Sequence, residues 1–375
     1  MFSTKTWRHF DFALMGAVLL LILFGITMIR SANLTSIDTD VQGQAGRQVI
    51  YALIGLVIVI AVSAVDYRVY SSYSLYIYGA LIGLLVVVLI VGLASFGAVR
   101  WIDLGIINFQ PAELGKFLIT LTLGAFVTQH RERVQQFGVV VRSLIHVGLP
   151  ALLIFIQPDL STALTYGVVW FAILWSAGVR ISHLGMFAGL VLALTPVVLW
   201  FVFTNDDYAY IGQRILTFLI PAADAEASQG ANYNIEQALI SIGSGGWFGQ
   251  GYGNGSQVQL RFLKVRQTDF IYATIGNEFG FVGTVLVLLL LAFVVFRIYR
   301  IGQIARDPYG KIICFGVGTV VFFESFANIA SNLNLIPVSG SVLPFLSYGG
   351  SSLWTNLIGI GLVQSVVLRH KQIEF

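Results

Sequence analysis

Residues 241–280, SIGSGGWFGQGYGNGSQVQLRFLKVRQTDFIYATIGNEFG, carry the densest group of side chains fit for chemistry. Seven glycines fall within thirteen residues, at 243, 245, 246, 249, 251, 253 and 255, too many for a helix and able to let the backbone approach a ligand closely. Arg261, Lys264, Arg266 and Asp269 follow within nine positions, with Asp269 at the mouth of a long apolar segment. One carboxylate beside three cations suits an anionic substrate. The pattern predicts a folded external loop as the seat of the chemistry, and Arg214 lies upstream in the same loop.

Membrane helices must position this stretch. Charged residues make up 10% of the 375-residue chain, against roughly 25% in a soluble domain, and hydrophobic residues 57%; mean hydropathy is +0.84. Apolar segments occur near 12–30, 48–65, 74–95, 113–128, 142–156, 160–178, 182–203, 270–296, 311–333 and 346–368. They predict an all-α integral membrane protein of about ten transmembrane helices. The chain reads as one polytopic membrane domain over 1–375, with a large external loop, about 204–269, between helices 7 and 8. The first apolar stretch is long enough to span, and no small-residue cleavage site follows it. The net charge of +3 gives no reason to expect nucleic acid, and the lone Cys314 excludes a disulfide framework or a thiolate metal site.

An even helix count places both termini on one side. With the termini inside, 13 of the 21 Lys and Arg residues are cytoplasmic. The remaining eight are Arg30, Arg47, Arg100, Lys116, Arg214, Arg261, Lys264 and Arg266, half of them in the long loop that the positive-inside rule largely ignores.

Other polar groups stand at expected helix ends. The loop 96–116 carries Arg100, Trp101 and Asp103, then Pro111 at a first helical turn, with Glu113 and Lys116 three apart on one face. That pair reads either as a structural ion pair or as a charged site inside the membrane boundary. Gln157-Pro158-Asp159 repeats the design, a proline at a helix start with an acid in the first turn, and capping alone would explain Asp159. Glu324, Asn328 and Asn332 form an i, i+4, i+8 polar stripe, either helix glue or a cavity lining. Asn334–Ser352 reads as a second external loop or a broken helix. No phosphate-binding GxxxxGK, no HExxH and no supported serine–histidine pair occurs. Asp38-Thr39-Asp40 has the acid–x–acid look of a metal site, although two acids in a short loop are usually only solvated. No cofactor is demanded, and a divalent cation stays open.

These residues resemble the shape, elongation, division and sporulation (SEDS) family, the RodA and FtsW proteins. The resemblance rests on Thr268-Asp269-Phe270-Ile271 with Gly276, Glu278 and Gly280, on Arg100 to Gly105, on Phe109 to Glu113 with Lys116, on Gln157 to Leu160, and on Leu343 to Ser352. The chain departs from the family pattern at Lys264-Val265, Gln267 and Asn277. Its short N-terminus and modest length look more like the RodA branch, of cell elongation. The resemblance implies a peptidoglycan glycosyltransferase in the bacterial inner membrane, polymerising lipid II, the undecaprenyl-pyrophosphate-linked disaccharide-pentapeptide, beside a class B penicillin-binding protein. On that reading Asp269 is the general base, and Arg100, Arg214, Arg261, Lys264 and Arg266 meet the pyrophosphate. Asp159, Glu113, Lys116, Ser347 and Ser351 are implied to bind substrate. An α-linked donor giving a β-linked product means a single inverting displacement with no covalent intermediate. Asp269 also has a purely structural reading as a helix N-cap. A flippase for lipid-linked sugars would carry the same intramembrane charges.

The charge split makes topology testable. In a Cys314→Ser background, Ser256→Cys should react with an impermeant thiol reagent in intact cells, and Arg306→Cys only after lysis. Protection of position 256 until lysis would place the glycine-rich loop in the cytoplasm.

Overall fold

The computed structural model describes residues 9–36, 38–91, 93–95, 98–103, 108–205, 212, 214–216, 218, 231–338 and 340–370. Among the described residues the chain is all-α apart from one small sheet. In order come α1 (Phe12–Asn33), α2 (Thr39–Gln42), α3 (Gln44–Ala64), α4 (Tyr67–Ser72), α5 (Ser74–Val91), strands β1 (Leu93–Ser95), β2 (Ala98–Asp103) and β3 (Asn108–Phe109), α6 (Pro111–Gln129), α7 (Phe137–Ile156) and α8 (Leu160–Ser176). There follow α9 (Ile181–Thr204), α10 (Ala231–Ser244), α11 (Ser256–Gln259), α12 (Ile271–Gln303), α13 (Pro308–Asn332) and α14 (Gly350–Leu368). Among the described residues eight helices are long and apolar enough to cross a membrane. The two other expected spans fall on α6 and α8, both helical.

Helix starts follow local chemistry. Asp11, Asp66, Asp159 and Asp307 each accept a backbone N–H as N-caps of α1, α4, α8 and α13. Pro111 and Pro308 stand in first turns, where a missing N–H costs nothing. Asp159 therefore precedes its helix, and Pro158 lies outside it, a correction to the expected proline-led turn: the carboxylate is spent on Thr162 N–H at 3.2 Å. Asp38 caps α2 by accepting from Asp40 N–H, and Asp40 pairs with Arg47 at 3.6 Å. The last segment starts at Gly350 and not at 346, because 343–349 is drawn into the site described below. The antiparallel β1-β2-β3 sheet was not legible in the loop 96–116; strands this short carry almost no alternation signal.

Helices α13 and α14 are mostly buried at the centre, while α5 and α9 turn most of their surface outward. Apolar side chains gain nothing by leaving lipid, so association relies on close packing and polar contacts. The strongest polar contact joins α6, α13 and α14. Lys116 Nζ lies 2.8 Å from Glu113 Oε1 and also pairs with Glu324 Oε1, while Asn356 Nδ2 donates to Glu324 Oε2 at 3.4 Å. All four residues are buried. The expected Glu113–Lys116 pair is thus a triad, because the α13 stripe brings Glu324 to the same ammonium.

Removing one partner of a buried ion pair costs about 3–5 kcal/mol, since the other charge is stranded. Lys116→Met strands two carboxylates and should lower the melting temperature most. Glu113→Gln and Glu324→Gln each leave one carboxylate on the lysine and should cost less. In a double-mutant cycle Lys116 should couple to both acids; additive losses for Lys116 and Glu324 would disprove their contact.

Candidate active site

Asp269 stands two residues before α12, which begins at Ile271 with Phe270 as its cap and without a side-chain cap bond. The capping role expected for Asp269 belongs instead to Asn332 of α13, whose Oδ1 accepts from Ala273 N–H at 3.1 Å. Asn332 and Asn328 also donate through Nδ2 to the Asp269 carbonyl, at 2.9 Å each. The polar stripe is therefore glue, and what it glues is the Asp269 turn. Its Asn residues hold the main chain and leave the carboxylate free for other work.

A second segment clamps the same turn. Ser347 Oγ donates to the Thr268 carbonyl at 2.7 Å, and Tyr348 N–H to the Gln267 carbonyl at 2.9 Å. Asn328 Nδ2 reaches the Ser341 carbonyl at 2.7 Å. Gln48 of α3 fixes the far end of this clamp, donating to the Ser347 carbonyl and accepting from Gly349 N–H. The expected loop or broken helix after Asn334 is thus a non-helical strap. Ser347 positions Thr268 through its hydroxyl.

Arg214, 55 positions upstream, arrives at the carboxylate by folding alone. Its Nη1 donates to the Val338 carbonyl at 3.2 Å. A Cβ placed on Gly340 would sit 3.4 Å from that nitrogen and 3.9 Å from Asp269 Oδ2, so the glycine leaves room between acid and cation. Burial raises the Asp269 pKa above the ordinary carboxylate value, opposed by the Arg214 charge and a hydrogen bond from Thr268. Such a carboxylate is more basic than an exposed one.

The other expected residues divide into groups. Arg261 and Lys264 are exposed on the loop, with Lys264 Nζ 5.6 Å above the Tyr233 ring. Arg266 departs from the anion-binding reading: it is buried, and its Nε donates to the Ala32 carbonyl of α1 at 2.5 Å. Burial and then the nearby Arg261 charge lower its pKa. It ties the loop to α1. Arg100 donates to the carbonyls of Gln157 (3.1 Å) and Pro158, bracing β2 against the start of α8. Asp159 Oδ2 accepts from Gln110 Nε2 at 2.9 Å, and Ser351 Oγ from Gln110 N–H at 3.1 Å. Asp159 and Ser351 thereby fix the first turn of α6, the helix that carries Glu113 and Lys116. Gln110 lies inside the motif from Phe109 to Glu113 but was given no role of its own, and Gly340 was missed, since neither bears a charge or a spacing that marks it.

The glycine-rich run also behaves differently from expectation. Its backbone approaches α12 itself: Gln250 and Gly251 N–H donate to the carbonyls of Asn277 and Glu278, and Phe281 and Val282 N–H donate to those of Gly246 and Trp247. These bonds satisfy groups freed where α12 breaks at Gly280, φ +64°. A Cβ on Gly249 would stand 2.1 Å from the Glu278 carbonyl oxygen. Glu278 then accepts from Ser31 Oγ (2.5 Å) and Gln259 Nε2 (3.3 Å). The glycines serve backbone-to-backbone docking that holds the far side of the Asp269 turn.

Residues 12–372 match the family model of the FtsW, RodA and SpoVE proteins, described as cell cycle proteins. The chain is 34% identical over 368 residues to the peptidoglycan glycosyltransferase MrdB of Escherichia coli (strain K12), covering 98% of this chain and 95% of that one. It is 33% identical to a probable peptidoglycan glycosyltransferase FtsW of Geobacter sp. (strain M18), with 96% and 98% covered. Among solved structures it is similar to a chain of a peptidoglycan synthase complex, at TM-score 0.78 and 26% identity, covering 97% and 99%. It is also similar to the rod shape determining protein RodA of Thermus thermophilus, at TM-score 0.71 and 26% identity, covering 98% and 99%. With a family match and relatives that run nearly its full length, this multi-pass membrane chain belongs to the FtsW/RodA/SpoVE family.

Proposed function

We propose that this chain, a peptidoglycan glycosyltransferase by its family, polymerises lipid II into glycan strands during cell elongation, with Asp269 as the general base. The observation that carries the reading is the Asp269 carboxylate itself: released from capping by Asn332, partly buried, and facing Arg214 across Gly340. In the proposed step a sugar hydroxyl of the acceptor attacks the anomeric carbon of the donor. The bond from that carbon to the pyrophosphate oxygen breaks, and the hydroxyl proton passes to Asp269. Attack opposite the leaving group inverts the anomeric centre in one displacement. Arg214, Arg261 and Lys264, with Arg100 at the neighbouring α8 start, stabilise the charge that grows on the pyrophosphate. Ser347 positions the turn; Asp159 and Ser351 position α6, and Glu113 with Lys116 lock α6 to α13.

The setting follows from the same reading. The chain forms one polytopic domain with ten spans in the bacterial inner membrane, its termini cytoplasmic and Asp269 on the external face. A class B penicillin-binding protein is the partner; the similar chain of a peptidoglycan synthase complex, concerned with coordinating polymerization and crosslinking, supports this.

Asp269→Asn keeps the side-chain size while removing the basic carboxylate. General base catalysis contributes about 10²–10⁴-fold, so strand formation from labelled lipid II should fall by that factor. Burial already disfavours the charged form, so the melting temperature should hold or rise. Near-normal strands on a gel would remove Asp269 as the base. A parent protein that makes no strands and only moves lipid II across the bilayer would instead be a flippase.

The pH profile gives an independent check. A base acts ionised, so activity is lost as pH falls through its folded pKa, which burial sets above the ordinary aspartate value. The acid limb of kcat/KM should therefore lie above that value. Arg214 holds the pKa down, so Arg214→Gln should move the limb to higher pH as well as slow the reaction. An unmoved limb would place Arg214 away from the base.

A further inference from the structure

Asp269 lies where α12 begins and α13 ends. At the opposite end of the bundle, the ends of α6, α8 and α12 and the start of α13 surround a cavity of about 480 Å³. Val127, Val134 and Ile312 give it an apolar wall, and all three are buried. Arg131, Arg306 and Lys311 stand at its rim, exposed. A second cavity of about 430 Å³ shares Arg306 and Asp307 with the first and adds Arg68.

Among the described residues the charges lining these cavities do not balance. Asp307 is, among the described residues, the one carboxylate lining either cavity, and it is occupied: it accepts from Tyr67 Oη, from Arg68 Nε at 3.2 Å and from Gly310 N–H at 2.9 Å. Among the described residues Arg131, Arg306 and Lys311 make no ion pair; Lys311 Nζ only lies 5.7 Å above the Phe315 ring. Arg131 comes from the connection between α6 and α7, Arg306 from that between α12 and α13, and Lys311 from the first turn of α13, so folding and not sequence spacing gathers them. Like charges gathered at one depression repel, and helix C-terminal carbonyls supply only fractional negative charge against them.

We propose that this cavity binds a phosphate-bearing anion, the phosphate held by Arg131, Arg306 and Lys311 and whatever carries it laid against Val127, Val134 and Ile312. Basic pockets between spanning helices suit anionic lipid headgroups by the same chemistry that suits free phosphate. The proposal does not depend on Asp269 or on the direction of sugar transfer.

The full chain in neutral detergent is titrated with phosphatidylglycerol, with phosphatidylcholine and with inorganic phosphate. Bound lipid is read by native mass spectrometry and stabilisation by melting temperature. Phosphatidylglycerol should bind and raise the melting temperature where phosphatidylcholine does not. If inorganic phosphate does the same, the site takes free phosphate; if it does not, the site takes a lipid headgroup, and either supports the proposal. Arg306→Gln and Lys311→Gln should each weaken binding by about fivefold, roughly 25-fold together. Arg133→Gln, on the same connection as Arg131 but not lining the cavity, should leave it unchanged. If the double variant melts early in neutral detergent, Arg131→Gln reads the same cavity from another element. Absence of binding by either anion, or an Arg133→Gln loss equal to that of Arg306→Gln, would overturn the proposal.

Discussion

Two asparagine side chains on one helix hold the turn on which everything else depends. Asn328 and Asn332 of α13 share the carbonyl of Asp269, and Asn332 also takes up the N–H of Ala273. A helix start at the edge of a membrane leaves N–H groups that need partners, and an aspartate nearby would normally supply one. Here the cap comes from another helix. The aspartate is thereby spared, and its position is set by α13 as rigidly as the cap itself. This is an arrangement in which preorganisation and stability come from the same bonds.

The middle of the bundle shows why α13 can serve as that reference. Its third stripe residue, Glu324, meets Lys116, and Lys116 meets Glu113. Charges removed from water and unable to reach it must find each other, so the triad fixes the rotation and height of α6 against α13 more tightly than apolar side chains could. Gln110, at the head of α6, is in turn tied to Asp159 and Ser351. The charged core and the polar head of α6 thus locate three further helices relative to the Asp269 turn.

Backbone docking completes the frame from the other side. The break in α12 at Gly280 exposes carbonyls and amides that the membrane boundary cannot leave bare, and the run 246–251 bonds to them in register. A side chain at Gly249 would collide with the Glu278 carbonyl, so the requirement for glycine is steric. Arg266 and Glu278 then join this assembly to α1, through the Ala32 carbonyl and the Ser31 hydroxyl.

Much of this was legible in the chain. Runs of apolar residues as long as a bilayer is thick can only be helices there, because no water is present to satisfy an open backbone; hence the membrane class, and helices at all ten apolar segments, followed from run length and composition. Pro111 marked a helix start, and the i, i+4, i+8 spacing put Glu324, Asn328 and Asn332 on one face. The partners of those residues were not legible. That Glu324 belongs with Lys116, that Arg214 reaches Asp269, that Arg266 turns inward and that Asn332 caps α12 are facts about residues 55 to 234 positions apart. Sequence spacing fixes neighbours along one helix; which helix faces which, and at what height, is decided by packing, and only packing shows whether a charge is spent on structure or left for chemistry.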